Sequence, residues 1–301
     1  MRIGIFGGDT AGRRTIAQVV ADARQAEADG FASYALPQIF GLDAMAALAV
    51  VGHEVPRIEL ATGVVPIYTR HPLVMAQQAL SVQDTSGGRF VLGIGLSHQV
   101  VVEGMLGMSF ARPLHAMREY LAVLAPLLRG EAVDVAGETV TMRGALTRES
   151  VPPTPVLLAA LAPGMLALAG READGTMTWM TGPATIADYV VPTITAAAER
   201  AGRPAPRVAA SLPICVTADP DAARSRAATE FQVYGFLPSY RAMLDREGAQ
   251  TPGDVAIVGD EEAVAAALRR LAGAGVTDFV ASIFGAPDER ARTRELLRTF
   301  A

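Results

Sequence analysis

Lysine and asparagine are absent from this chain of 301 residues, so all 26 basic residues are arginine. Chemistry that needs a compact, titratable ammonium is thereby excluded: neither a Schiff-base lysine nor the phosphate-binding lysine of a P-loop has a residue to come from. Cysteine occurs once, as Cys215, which excludes a disulfide framework and a zinc cluster built on thiolates. The four histidines (His53, His71, His98 and His115) include no HExxH or comparable spacing, so no dedicated metal site is expected. No run of 18 uncharged apolar residues reads as a membrane span. The chain opens on a strand rather than on the basic region and apolar run of a signal peptide. A soluble, cytoplasmic protein with no membrane partner is the expectation. Acidic residues outnumber basic ones, 31 to 26, with the signs interspersed; this leaves no basic face for nucleic acid.

What the chain has in quantity is apolar residues, glycine and proline: half of it is hydrophobic, with 29 Gly and 19 Pro. The stretch over residues 60–98, LATGVVPIYTRHPLVMAQQALSVQDTSGGRFVLGIGLSH, organises the rest. It reads as an apolar strand, a polar turn, a helix opening at Pro72 and closing near Gly87-Gly88, and a second apolar strand. That second strand, 90–94, is apolar on both faces, as parallel strands covered by helices are. Further strands are predicted at 2–7, 31–36, 58–65, 156–160, 175–180, 207–216 and 278–283. Helices are predicted at 13–29, 42–52, 112–129, 163–171, 183–201, 260–272 and 287–300, with a long helical region over 220–247 interrupted around Gly235 and Pro238. A polar loop, Gly8-Asp9-Thr10, follows the first strand, and 131–148 reads as a hairpin-like insertion. Eight strands separated by helices predict one (β/α)8 TIM-barrel domain over residues 1–301. The two longest strand-to-strand steps place insertions after strands 4 and 7. An open doubly wound sheet is the competing fold, but Gly93-Ile94-Gly95 is a bare GxG without the rest of a dinucleotide fingerprint.

In parallel α/β folds ligands bind outside the carboxyl ends of the strands, so the residues there are the candidates. Gly63, followed by Val64, allows a bulge or a close approach of backbone to a flat ligand, or it simply ends a strand before a turn. In Tyr68-Thr69-Arg70-His71-Pro72 the histidine reads as capping or packing on the next helix, in preference to a catalytic base, while Arg70 reaches an anion or stays solvated. Ser97 and His98 follow the fourth strand, and His98 is the best placed of the histidines for acid–base work. Ala160, Leu161, Gly164 and Met165 form a strand end, a small-residue loop and a helix start, where free N–H groups attract phosphate. Trp179 and Met180 end the sixth strand and line a pocket or fill the rim. Gln38, after the second strand, can hydrogen-bond a substrate but cannot act as an acid or base. The strand ends are poor in ionisable groups, which suits chemistry borne by a cofactor.

These motifs together resemble the luciferase-like superfamily of (β/α)8 flavin and deazaflavin oxidoreductases, and within it the branch that uses coenzyme F420. The resemblance spans nearly the whole chain. Its most specific blocks are TGVVPIYTRHPLVMAQQALSVQDTSGGRFVLGIGLSHQVVVEGMLG and AALAPGMLALAGREADGTMTWMTGP, supported by LPSYRAMLDREG and DVAIVGDEEAV. It implies a bulge in strand three with a non-prolyl cis peptide at Gly63–Val64 behind the central ring. It also implies ring or tail contacts from Thr62, Ser97 and the Ala160–Leu161 strand end, and phosphate binding at Gly164-Met165. A homodimer formed through helices after the early strands is implied as well. Several relatives carry an acidic residue or histidine after strand two, where this chain has Pro37-Gln38. The implied activity is hydride transfer between deazaflavin C5 and a small-molecule substrate; His98, from its place after the fourth strand, is the candidate proton partner. An FMN-dependent monooxygenase on the same barrel and a non-catalytic flavin-binding protein are the alternatives.

Overall fold

The structure, a computed structural model, describes residues 1–8, 14–147 and 152–301. Asp9 and Thr10 of the predicted loop, the predicted helix start at Arg13 and the hairpin's end at Arg148 lie outside the described residues. Eight parallel strands close into a barrel surrounded by helices: β1 (Arg2–Phe6), β2 (Ser33–Leu36), β3 (Glu59–Thr62, resuming as Val65–Pro66), β4 (Phe90–Gly95), β5 (Val156–Leu158), β6 (Gly175–Trp179), β7 (Arg207–Val216) and β8 (Asp278–Ile283). The long steps after β4 and β7 carry the two insertions. The predicted hairpin is Val133–Ala136 paired antiparallel with Thr141–Gly144. A short strand, Ile257–Gly259, pairs with the end of β7; three residues are too few to show a periodicity in sequence. No helix among the described residues is long and apolar enough to cross a membrane.

The chain divides into two compact units. The first contains Met1–Gly7, Gln25–Ala35 and Ala160–Ala301. Its strands run in parallel register, Ile3 beside Phe279 and Phe279 beside Ala210, and these side chains are buried. At the amino ends of the strands sits a buried carboxylate, Asp278. Arg2 and Arg207 both donate to it, Arg207 Nη2 at 2.9 Å, and the Thr277 hydroxyl donates at 2.6 Å. Burial acts to raise the pKa of Asp278, but the Thr277 hydroxyl and the two guanidinium groups outweigh it and hold the carboxyl below its usual range.

The second unit contains Gly8–Arg24 and Leu36–Ala159. The helix Pro72–Thr85 begins as predicted, with Pro72 in its first turn and the His71 imidazole accepting from Leu73 N–H at 3.2 Å. Near its end the buried Gln83 acts as a clamp. Its oxygen accepts from Phe90 N–H at 2.7 Å and its amide donates to the Pro153 carbonyl at 2.7 Å, tying the start of β4 to the run into β5. The helix Pro113–Leu128 buries Met117, Leu121, Leu124 and Leu128; Leu114, which the same spacing of three and four residues would put on that face, is exposed in its first turn.

Replacing Asp278 by asparagine leaves two arginines facing a neutral amide, and breaking a buried pair of this kind costs about 3 kcal/mol. The native carboxyl titrates below its unfolded value, so its contribution is present above that value and is lost as pH falls through the native pKa. Urea unfolding is expected to show Asp278→Asn destabilised by about that amount at pH 7, with the gap to wild type closing in strong acid. An equal gap at both pH values would show that charge is not what Asp278 contributes.

Candidate active site at the strand ends

The register of β3 against β4 changes at the end of β3. Ala61 pairs with Val91, thirty residues on, but Val65 pairs with Ile94, only twenty-nine on, so one extra residue is inserted in β3. This is the bulge expected at Gly63. The Gly63–Val64 peptide is cis, as expected, and both residues are half-buried. Thr62 Oγ1 bridges the gap in the ladder. It donates to the Gly93 carbonyl at 2.8 Å and accepts from Gly93 N–H at 2.8 Å. Gly93 has no alternative side chain, because a Cβ there would lie 2.0 Å from the Thr62 carbonyl oxygen. Gly95 is also confined, its Cβ position lying 2.8 Å from Val64 Cγ2.

Ser97 and His98 follow β4, Ser97 in the left-handed region with φ 61°. The His98 carbonyl accepts from Val101 and Val102 N–H, both at 2.9 Å, and so opens the short helix Gln99–Val102. Its half-buried imidazole has its pKa lowered by burial, which favours the neutral ring at pH 7. Gln38 is fixed through its oxygen, which accepts from Ala44 N–H at 3.1 Å and from Arg70 Nη2 at 3.2 Å. Its amide NH2 is therefore the end left to meet a ligand. Arg70, read in sequence as anion-binding or solvated, is not solvated; the anion it meets belongs to the chain itself, since it forms an ion pair with Asp43 and also donates to Gln78 at 2.8 Å.

In the first unit, Ala160 is buried and the Leu161 carbonyl accepts from the Tyr189 hydroxyl at 2.8 Å. The helix Pro163–Glu172 starts without a side-chain cap. The Ala162 carbonyl takes the Met165 and Leu166 N–H groups, Pro163 has no N–H, and the Gly164 N–H has no acceptor among the described residues. Trp179 stacks on Phe6 with centroids 5.9 Å apart, and Phe231 and Tyr234 meet it edge-on. Met180 behind it is buried, with φ 52°. Trp179 thus belongs to an aromatic cluster and is itself half-buried. Sequence reasoning missed Tyr189 and also Glu247, whose carboxylate caps the helix start at Pro183 by accepting from Ala184 and Thr185 N–H. It passed over Tyr68 as well, although that residue stands inside the most specific motif. Partners twenty-eight to sixty-three residues away leave no local signal.

The family model described as luciferase-like monooxygenase matches residues 1–278. A 5,10-methylenetetrahydromethanopterin reductase from Methanolobus tindarius is 32% identical over 282 residues, covering 91% of this chain and 85% of that protein. A protein of Mycobacterium tuberculosis named as a coenzyme F420-dependent oxidoreductase is 29% identical over 291 residues, covering 91% of this chain and 79% of its own. The crystallised coenzyme F420-dependent tetrahydromethanopterin reductase of Methanopyrus kandleri has the same fold. Its TM-score is 0.79 at 24% identity, with 99% of this chain and 97% of that chain covered.

The double role of the Thr62 hydroxyl yields a test. Thr62→Val keeps the shape but leaves the Gly93 N–H and C=O both unpaired and buried, at about 1–3 kcal/mol each. Urea unfolding is expected to show a loss of about 2–5 kcal/mol, largely restored in Thr62→Ser. If Thr62→Val unfolds like wild type, the hydroxyl is not part of the ladder.

Proposed function

The chain belongs to the luciferase-like monooxygenase family, and from that premise we propose that it is a coenzyme F420-dependent oxidoreductase acting on a small organic molecule. The likeness to proteins named for F420 or for methanopterin reduction, extending over nine-tenths of the chain, carries this reading. The residues present fit such a group. Gly93 and Gly95 keep side chains off the end of β4, Gly63 and Val64 stand out of the ladder, and the helix start at Gly164 is uncapped. When bound, the deazaflavin supplies a ring carbon, C5, that accepts or gives up a hydride.

The protein's part is then to bind, orient and manage a proton. In this reading Thr62, Gly63, Val64 and Ser97 form the backing for the ring. Ala160 and Leu161 contact the cofactor, as do Trp179 and Met180, and Gly164 and Met165 receive the phosphate. Hydride transfer needs close approach of donor and acceptor, so rigid placement is the main contribution. The neutral His98 ring can take or give one proton, and Gln38 meets the substrate as a donor through its amide, since its oxygen is already engaged.

Two measurements test this. Fluorescence titration with F420 and with FMN is expected to give tighter binding of F420, and no substrate-dependent oxygen uptake. Preferential FMN binding with oxygen uptake would replace this reading by a monooxygenase. Gly164→Asp should weaken F420 binding by about tenfold or more, from repulsion between its carboxylate and a phosphate. The same charge at a helix start favours the fold, so the melting temperature should hold or rise. Unchanged affinity in the folded variant would place the phosphate elsewhere.

A further inference from the structure

Among the described residues, the strand-end loops of the second unit hold a hydrogen-bonding group that the chain leaves unsatisfied. The Tyr68 hydroxyl is buried and has no partner among the described residues, although the residue as a whole is only half-buried. A buried polar group gives up its bonds to water on folding, and native chains rarely leave one unpaired without use for it. The Tyr68 ring packs against Phe110, with centroids 5.6 Å apart and planes at 34°. Phe110 is held in turn by Glu103, which accepts from Phe110 N–H at 3.1 Å and from Gln99 Nε2 at 2.7 Å. Burial, helped by the Glu103 charge, raises the phenol pKa, so the hydroxyl keeps its proton and is available as a donor.

The segment that carries Phe110 is apolar and open. Val100, Met105, Leu106 and Met108 are 64%, 63%, 43% and 41% exposed. Hydrogen bonds from Met105 and Leu106 N–H to Val101 and from Met108 N–H to Val102 hold them in one compact turn. Around it charge is spent internally. In loops 37–43, 67–71 and 96–112 the arginines are Arg70 and Arg112, paired with Asp43 and Glu138. An anionic substrate would find no free cation there, and the Glu103 carboxylate is already engaged by Phe110 N–H and Gln99 Nε2.

We propose that Tyr68 and the apolar segment 100–110 form the substrate-binding surface, and that the substrate is an uncharged, largely apolar molecule presenting one acceptor oxygen to the Tyr68 hydroxyl. The assignment of this surface to substrate rests on the oxidoreductase reading above. Tyr68 acts as a positioning and specificity residue for the substrate's polar end, while the Met and Val side chains cover its body.

The test uses the whole protein and three probes of one shape: acetophenone, ethylbenzene, which lacks the acceptor, and benzoate, which is charged. Ligand-observed NMR titration is expected to show wild type preferring acetophenone to ethylbenzene by about tenfold, and to benzoate by more. Tyr68→Phe should erase the preference over ethylbenzene while leaving ethylbenzene binding unchanged. Without ligand the variant should melt at or above wild type, because it loses a hydroxyl that bonds to nothing; a structural hydrogen bond would give a lower melting temperature. Equal binding of acetophenone and ethylbenzene by wild type, wild-type acetophenone binding by Tyr68→Phe, tightest binding of benzoate, or no acetophenone binding would each overturn the proposal. A parallel F420 titration separates it from the reading on which it rests. Tyr68-dependent selectivity without F420 binding keeps the surface and removes the cofactor, and F420 binding without that selectivity does the reverse.

Discussion

At the end of β3 the Thr62 hydroxyl takes the place of two backbone groups, donating to and accepting from Gly93. The substitution lets β3 carry an extra residue without leaving buried polar groups unpaired. Much follows from it. Gly93 must lack a side chain, since its Cβ position is filled by the Thr62 carbonyl. Gly63 and Val64 fall outside the ladder with β4, yet each is still tied, Gly63 N–H to the Leu36 carbonyl at 2.9 Å and the Val64 carbonyl to Gln38 N–H at 3.4 Å. The strand then resumes at Val65, and Ile67 N–H reaches the Gly95 carbonyl at 2.9 Å, which delivers Tyr68 beside the segment that follows β4. One bridging hydroxyl therefore sets the positions of the loop after β2 and the turn after β3.

The arginine-only composition has a structural counterpart. A guanidinium offers several donors in a fixed fork, and this chain uses that fork to join elements. Arg89 donates to the carbonyls of Ile58, Gly52 and Val55, closing the carboxyl end of the helix Ala44–Glu54 where its backbone acceptors run out. Arg70 joins Gln38, Asp43 and Gln78, while its own carbonyl accepts from the Tyr120 hydroxyl at 3.0 Å. Cations committed in this way are not available to ligands. In loops 37–43, 67–71 and 96–112 no arginine is left free, and His98, kept toward its uncharged form by burial, adds no positive charge there.

The fold was legible because its signals are local. Apolar runs marked the eight strands, and prolines in the first turn marked helix starts at Pro72, Pro163, Pro183, Pro220 and Pro287. Asp260 was readable as a cap, and it accepts from Ala263 N–H at 2.9 Å. What could not be read depends on partners distant in sequence. Gln83 looks like any polar helix residue until β4 and Pro153 arrive on either side of it. Arg70 looks solvated until Asp43 is beside it. Leu114 has the right spacing for a buried face but is exposed in the first turn of its helix. The bulge at Gly63 was an even choice on spacing, and the family resemblance, not the local pattern, pointed to it.

Two helix starts in the first unit show how little of a site's electrostatics resides in the helix itself. Both begin at a proline after a strand, and both present backbone N–H groups with the partial positive charge of a helix start. At Pro183 that charge is already met: Glu247 accepts from Ala184 N–H at 3.1 Å and from Thr185 N–H at 2.7 Å, and a Cβ on Gly182 would run into the same carboxylate. An incoming anion there would face a resident one. At Pro163 no side chain caps the start. The π turn Ile186–Val190 instead carries Tyr189, whose hydroxyl holds the Leu161 carbonyl while Arg246 lies 4.0 Å over its ring. That arrangement fixes the loop before Gly164 without consuming the Gly164 N–H and brings a positive charge into the same neighbourhood. The difference between the two starts comes from residues sixty or more positions away in one case and twenty-eight in the other. It leaves the Gly164 start, unlike the Pro183 start, without a resident carboxylate.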